Sequence, residues 1–224
     1  MDIQKILFTI AQCLPGFLLA ITFHEYSHGR VAKAFGDNTA EREGRLTLNP
    51  AAHLDMFGTF IIPMICLALG GAIFGYAKPV PVDMRNFKDV RKGMFWVSFA
   101  GPLSNIILGT LSAFLYALVI ATLDESFSFY LILLKMLSYS VFINFILAFF
   151  NLIPFPPLDG SKMVASFLRG RALMQYESLA KYANLVFLGI FALSMMGIST
   201  IGHILAPAQI MAQKLIMYFL YLLG

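Results

Sequence analysis

An all-α polytopic membrane protein is the fold class this sequence predicts, from its apolar content, the length of its uncharged stretches and the placement of its basic residues. Of 224 residues, 59% are apolar and 12% charged, with a mean hydropathy of +0.78; soluble domains hold about 45–50% apolar and about 25% charged residues. Uncharged runs extend over 6–23, 56–77, 93–123, 136–158 and 182–213, and about 20 residues suffice for a helix to cross the hydrocarbon. Thirteen of the sixteen Lys and Arg residues fall in three loops, Arg30 to Arg45, Lys78 to Lys92 and Lys162 to Lys181. The positive-inside rule puts all three in the cytoplasm and the Asp124-Glu125 loop outside.

Taken in order, the first stretch reads as a retained helix: one Lys5 precedes it, no small-residue cleavage site follows, and it runs into His24 to His28. Stretch 56–77 lies between two basic loops that a simple span would put on opposite faces. Pro63 and Gly70-Gly71 let it break into a re-entrant hairpin, which is allowed where protein or water satisfies the backbone. The alternative is a full span, with Arg42 and Arg45 outside or held near the site. Arg45-Leu46-Thr47-Leu48 alternates before Asn49-Pro50, a short membrane-associated β element and turn that could hold an extended peptide by edge addition. Residues 161–180, with Leu168, Leu173 and Leu179, read as a partly amphipathic cytoplasmic helix. Gly197, Gly202 and Pro207 divide the remainder into two helices. The total is about five to six membrane segments in one domain, 1–224, with a core at 6–170 and C-terminal helices at 182–223.

Cys13 and Cys66 both lie in apolar stretches and support neither a disulfide framework nor a cysteine zinc site. The net charge of +4 is explained by cytoplasmic loops, so no nucleic-acid partner is expected.

Chemistry concentrates in His24-Glu25-Tyr26-Ser27-His28. On a helix, imidazoles four residues apart share one face a turn apart with the carboxylate beside them, the spacing of two zinc ligands and a general base. Ionisable residues at the end of an uncharged run are expensive in a bilayer and mark function. A catalytic zinc usually takes three protein ligands, and the third candidate is Asp159, at the end of run 136–158 in Asn-Leu-Ile-Pro-Phe-Pro-Pro-Leu-Asp-Gly. Pro154, Pro156 and Pro157 force the chain to unwind there. Asn151 could donate to a substrate carbonyl or oxyanion, or cap a helix end. Asn105 is similar, whereas Gly101, Ser104 and Gly109 read as close helix packing. His53 and Asp55 could ligate in place of Asp159, but orienting the ligands or fixing a turn ranks above direct ligation, and His203 reads as structural.

These segments, HEYSH, AGPLSN and NLIPFPPLDG, resemble the site-2 protease family of intramembrane zinc proteases over residues 15–170, and GRLTLNP, His53-x-Asp55 and AKPVPVD resemble its short bacterial forms. The resemblance implies one catalytic zinc ion on His24, His28 and Asp159, a base at Glu25, a substrate contact at Asn151, and hydrolysis of transmembrane or membrane-proximal substrate segments. It also implies a multi-pass protein of a bacterial inner membrane, in contact with the lipid bilayer, with its site nearer the cytoplasmic side. No PDZ insertion is present. A metal-ion transporter or sensor using the same ligands is the rival reading; it gives Glu25 no required role.

Overall fold

The computed structural model describes residues 3–61, 77–196, 198 and 200–224. Its helices are α1 (Ile3–Ala34), α2 (Thr39–Arg42), α3 (Val90–Thr122), α4 (Tyr130–Asn151), α5 (Asp159–Ala165), α6 (Gly170–Glu177), α7 (Ala183–Met195) and α8 (Thr200–Leu223). Among the described residues, four helices are long and apolar enough to cross a membrane: Leu7–Ala34 of α1, α3, α4, and Gly202–Leu223 of α8. The 13 residues of α7 reach only about 20 Å, short of a hydrocarbon layer of about 30 Å.

The helices α1, α3 and α4 form the bundle that carries the site. His24 meets Asn105 and His28 meets Val97, so α3 runs antiparallel to α1. Ser112 meets Ser140 and Asn105 meets Asn144, so α3 is antiparallel to α4 as well. The C-terminal ends of α1 and α4 therefore lie at one end of the bundle, with the N-terminal end of α3. Helix α8 packs on α3 and α4 through Ala208 and Ala212, which join Ala113, Val141 and Phe145 in the core. Alanines let membrane helices approach closely, which supplies packing where lipid removes the hydrophobic drive.

The chain from α1 to α3 leaves and returns at the same end of the bundle. Lys88 N donates to Phe35 O at 3.0 Å and Lys78 N to His53 O at 2.9 Å. The expected hairpin over 56–77 falls chiefly on 62–76, outside the described residues; before it, Met56–Ile61 forms a π-helical turn.

Asp37, 1% exposed, ties this return together. Its carboxylate accepts from the Thr39 amide at 3.1 Å and hydroxyl, from the Asp83 amide at 2.8 Å and from Asn86 Nδ2 at 2.8 Å. Burial alone would raise this carboxyl, but the donors from Thr39, Asn86 and Asp83 outweigh it and hold it below the usual carboxylate range. A depressed folded value contributes stability above the unfolded pKa of about 3.9, lost as pH falls through the lower folded value. Asp37→Ala should therefore destabilise the purified protein by about 2–3 kcal/mol at neutral pH. The deficit should shrink below about pH 4, as followed by thermal melting in detergent.

Three expectations are corrected. Among the described residues no strand forms: 45–48 has no neighbouring strand, the amides of Arg45 and Leu46 both bond Ala40 O, and the Thr47 carbonyl is taken by His53 Nε2 at 2.8 Å. A proline at Leu46 would break that turn whether or not a peptide adds there. The helix expected over 161–180 is interrupted, α5 ending at Ala165 and α6 beginning at Gly170. The C-terminal remainder does form two helices, α7 and α8, but the break falls between Met195 and Thr200, and Gly202 and Pro207 lie inside α8, since membrane helices tolerate proline where neighbouring groups satisfy the freed carbonyl.

Candidate metal centre

Helix α1 continues unbroken through His24 and His28, which lie on one face and are 7% and 8% exposed. Asp159 arrives from the other side. After Asn151 the chain leaves the helix, and Asp159 opens α5. Gly160 is required at this return, because a Cβ there would strike the Leu152 carbonyl.

The three side chains offer ligand atoms within 4.8 Å of one another, all buried. Asp159 Oδ2 lies 3.1 Å from His24 Nε2 and 3.2 Å from His28 Nε2. Donors about 2.0–2.2 Å from a tetrahedral zinc stand about 3.3 Å apart, so the spacing fits one ion with little adjustment. Lys162 Nζ approaches the other oxygen, Oδ1, at 3.8 Å.

Hydrogen bonding around the ligands sharpens that fit. Asn105 Nδ2 donates to Ala20 O at 3.0 Å and to Asn144 Oδ1 at 2.9 Å. With both amide hydrogens used, Oδ1 is the acceptor for His24 Nδ1 at 2.6 Å. His28 Nδ1 donates to Val97 O at 2.6 Å. Each imidazole thus keeps a proton on Nδ1 and turns Nε2 toward the Asp159 carboxylate. In the neutral tautomer both Nε2 atoms present lone pairs beside an anion, which repel unless a cation lies between them, so the donor set suits a metal.

Gly101 makes the space. A Cβ built there would lie 2.5 Å from His28 Nε2 and 2.6 Å from His24 Nε2, closer than a carbon can approach. From sequence this glycine serves helix packing; in the fold it leaves open the volume in front of the two nitrogens. Only the neighbouring position of α3 reveals this, and no local spacing signals it.

Glu25 lies beside the ligands, and its Oε2 accepts from Val80 N at 2.7 Å. Val80 is 7% exposed, and its side chain packs against Gly29, one turn beyond Glu25. Arg45 Nη2 holds the same segment by the Lys78 and Pro79 carbonyls, at 2.9 and 3.3 Å. Arg45 is thus held near the site, one of the two positions open to it from sequence, and Val80 acts through a backbone amide that composition cannot advertise.

The remaining candidates form hydrogen bonds to backbone groups of their own segments. Asn151 Nδ2 donates to Leu147 O at 3.0 Å, within its own helix. His53, fully buried, bonds Thr47 O, and Asp55 accepts from the Phe57 and Gly58 amides at 2.9 and 2.7 Å, opening the turn at Met56. Both fix turns. Asn144, one residue beyond the first contact, is the polar group missed in sequence; its place in an apolar run, Phe142-Ile143-Asn144-Phe145, was the available signal.

Residues 118–197, which include Asp159 but not His24, match the model for Peptidase family M50. The Bacillus subtilis protein named "Putative zinc metalloprotease YwhC" is 39% identical over 175 residues, 78% of this chain and 77% of its own length. "Putative zinc metalloprotease Rip2" of Mycolicibacterium smegmatis is 29% identical over 147 residues, 66% of this chain and 53% of that protein. Its Mycobacterium tuberculosis namesake (strain H37Rv) is 29% identical over 178 residues, 80% of this chain and 65% of that one. This chain therefore spans less than two thirds of either Rip2 protein. No solved structure matches.

Proposed function

The chain belongs to peptidase family M50, the site-2 proteases, as an integral membrane zinc metalloprotease, and from that premise we propose that it is an endopeptidase cutting transmembrane or membrane-proximal segments of protein substrates. In this reading His24, His28 and Asp159 hold one zinc ion and Glu25 is the general base. The observation that carries it is the convergence of two Nε2 lone pairs and one carboxylate in front of Gly101.

Bound zinc supplies Lewis-acid polarisation of the scissile carbonyl and acidifies water at the site. Glu25, held through Oε2 by the Val80 amide, takes a proton from the attacking water as its oxygen bonds the carbonyl carbon. The same carboxyl then returns the proton to the amide nitrogen as the C–N bond breaks. Asn105 and the Val97 carbonyl hold the two imidazoles in the ligating tautomer. Asn151 serves substrate only once its amide leaves Leu147, while His53 and Asp55 act through the loops they fix.

A single catalytic unit is our reading of residues 1–224. The three basic loops join the bundle at the end that carries the ligands, which supports a site nearer the cytoplasm, and the bacterial relatives support an inner-membrane location. A transporter would need no carboxylate braced beside its ligands, whereas hydrolysis does.

The test is cleavage of a loosely helical transmembrane substrate by purified protein in nanodiscs. Cleavage should stop on chelation and return with zinc. Zinc-loaded protein that leaves a panel of such substrates intact while moving zinc across vesicle membranes would overturn the reading in favour of transport.

A further inference from the structure

Away from the metal ligands, a cavity of about 380 Å³ opens where the start of α3 meets the end of α5 and the start of α6. Its walls are apolar, from Val90, Met94, Ala165, Leu168 and Leu173, and two exposed residues, Arg91 and Arg169, contribute to the lining as well. Among the described residues neither arginine forms a salt bridge. The nearby carboxylate of Asp89 is already engaged, accepting from Lys92 N at 3.0 Å with Lys92 Nζ at 3.7 Å.

Two helix starts, at Val90 and Gly170, contribute to the same lining. The second has no side-chain cap, since Arg169 precedes it and makes no capping bond. Its first amides are donors without a helical partner, and the dipole favours negative charge there. Two arginines, an uncapped helix start and apolar walls describe a site for an anion that carries a hydrocarbon chain.

Its height in the bilayer is marked independently. Phe95 stacks edge-on to Phe167 at 5.5 Å and to Trp96 at 5.4 Å, and Phe167 and Trp96 are 71% and 49% exposed. Exposed aromatics beside a charged helix end belong at the headgroup level of a membrane. Basic pockets between membrane helices on the cytoplasmic side suit anionic lipid headgroups.

We propose that this cavity binds one anionic phospholipid, its phosphate between Arg91 and Arg169 and an acyl chain along Met94, Leu168 and Leu173. A lipid there would bear on Ala165, the far end of the short helix that Asp159 opens. The proposal rests on the membrane reading above but not on proteolysis, and its test needs no cleavage.

Delipidated, zinc-loaded protein is incubated with phosphatidylglycerol or phosphatidylcholine, and retained lipid is counted by native mass spectrometry. One phosphatidylglycerol per chain should be retained in preference to phosphatidylcholine. Arg91→Gln with Arg169→Gln should weaken retention about thirty-fold, the effect of two interfacial charges. Leu173→Trp, which fills the cavity and keeps both charges, should also lose the lipid. Lys88→Gln with Arg171→Gln, outside the lining, should keep it, and retained zinc reports folding in every variant. No preference between the lipids, equal loss in both double variants, or retention in Leu173→Trp overturns the site. Displacement by millimolar inorganic phosphate would assign it to a free anion instead.

Discussion

Gly101→Ala should purify as a folded protein that holds almost no zinc and cleaves nothing. The added Cβ would stand 2.5 and 2.6 Å from the Nε2 atoms of His28 and His24. A zinc ion about 2.0–2.1 Å from those nitrogens occupies the same space, so methyl and metal exclude each other. The imidazoles cannot swing aside cheaply, because their Nδ1 atoms are fixed by Asn105 and the Val97 carbonyl. Zinc per chain should fall more than tenfold and kcat/KM by at least about a thousandfold, as for removal of a ligand. Gly109→Ala on the same helix is the control: its new methyl meets the Phe145 ring and, at 3.2 Å, Asn144 Cβ rather than the imidazoles, which costs stability and spares zinc. Normal zinc in Gly101→Ala would show that the metal lies elsewhere.

Glu25→Gln should give the opposite separation, with zinc retained and turnover lost. Glutamine has the same shape, and its side-chain oxygen can still accept the Val80 amide, so the segment across α1 stays in place. What disappears is the ability to take a proton, a contribution of about 10²–10⁴ in rate. The fall should appear in kcat with KM little changed, since a proton acceptor acts in the transition state and not in substrate binding. A variant that keeps its turnover would remove Glu25 from the reaction, and one that loses zinc would make it a structural element of the metal site.

Much of the centre was legible because its parts are local. Four-residue spacing on a helix sets His24 against His28, and three prolines between Asn151 and Asp159 force the unwinding that frees the carboxylate. What stayed hidden depends on contacts between distant segments. Gly101 looks like any small residue in a membrane helix until α3 is laid against α1. Val80 contributes an amide every residue possesses. The alternation at 45–48 resembled a strand, but a strand exists only beside another, and here the amides turn back to Ala40. Proline within α8 misled in the other direction, its lost bond mattering less in a packed membrane helix than in water.

The bonds running from Asn105 through Asn144 and Ser140 to Ser112, at 2.9, 2.9 and 2.8 Å, have a mechanical consequence. Sliding α3 or α4 by one turn, about 5.4 Å, would strand those amides and hydroxyls in hydrocarbon, where no water can take them up. The pair is therefore locked in register like a keyed shaft, and α1 is pinned to it where Asn105 grips Ala20 O and His24. Helix α8 meets the bundle through the apolar contacts of Ala208, Ala212, Leu215 and Phe219. Any motion of this bundle must therefore carry the three locked helices as one body, with His24 and His28 kept in place.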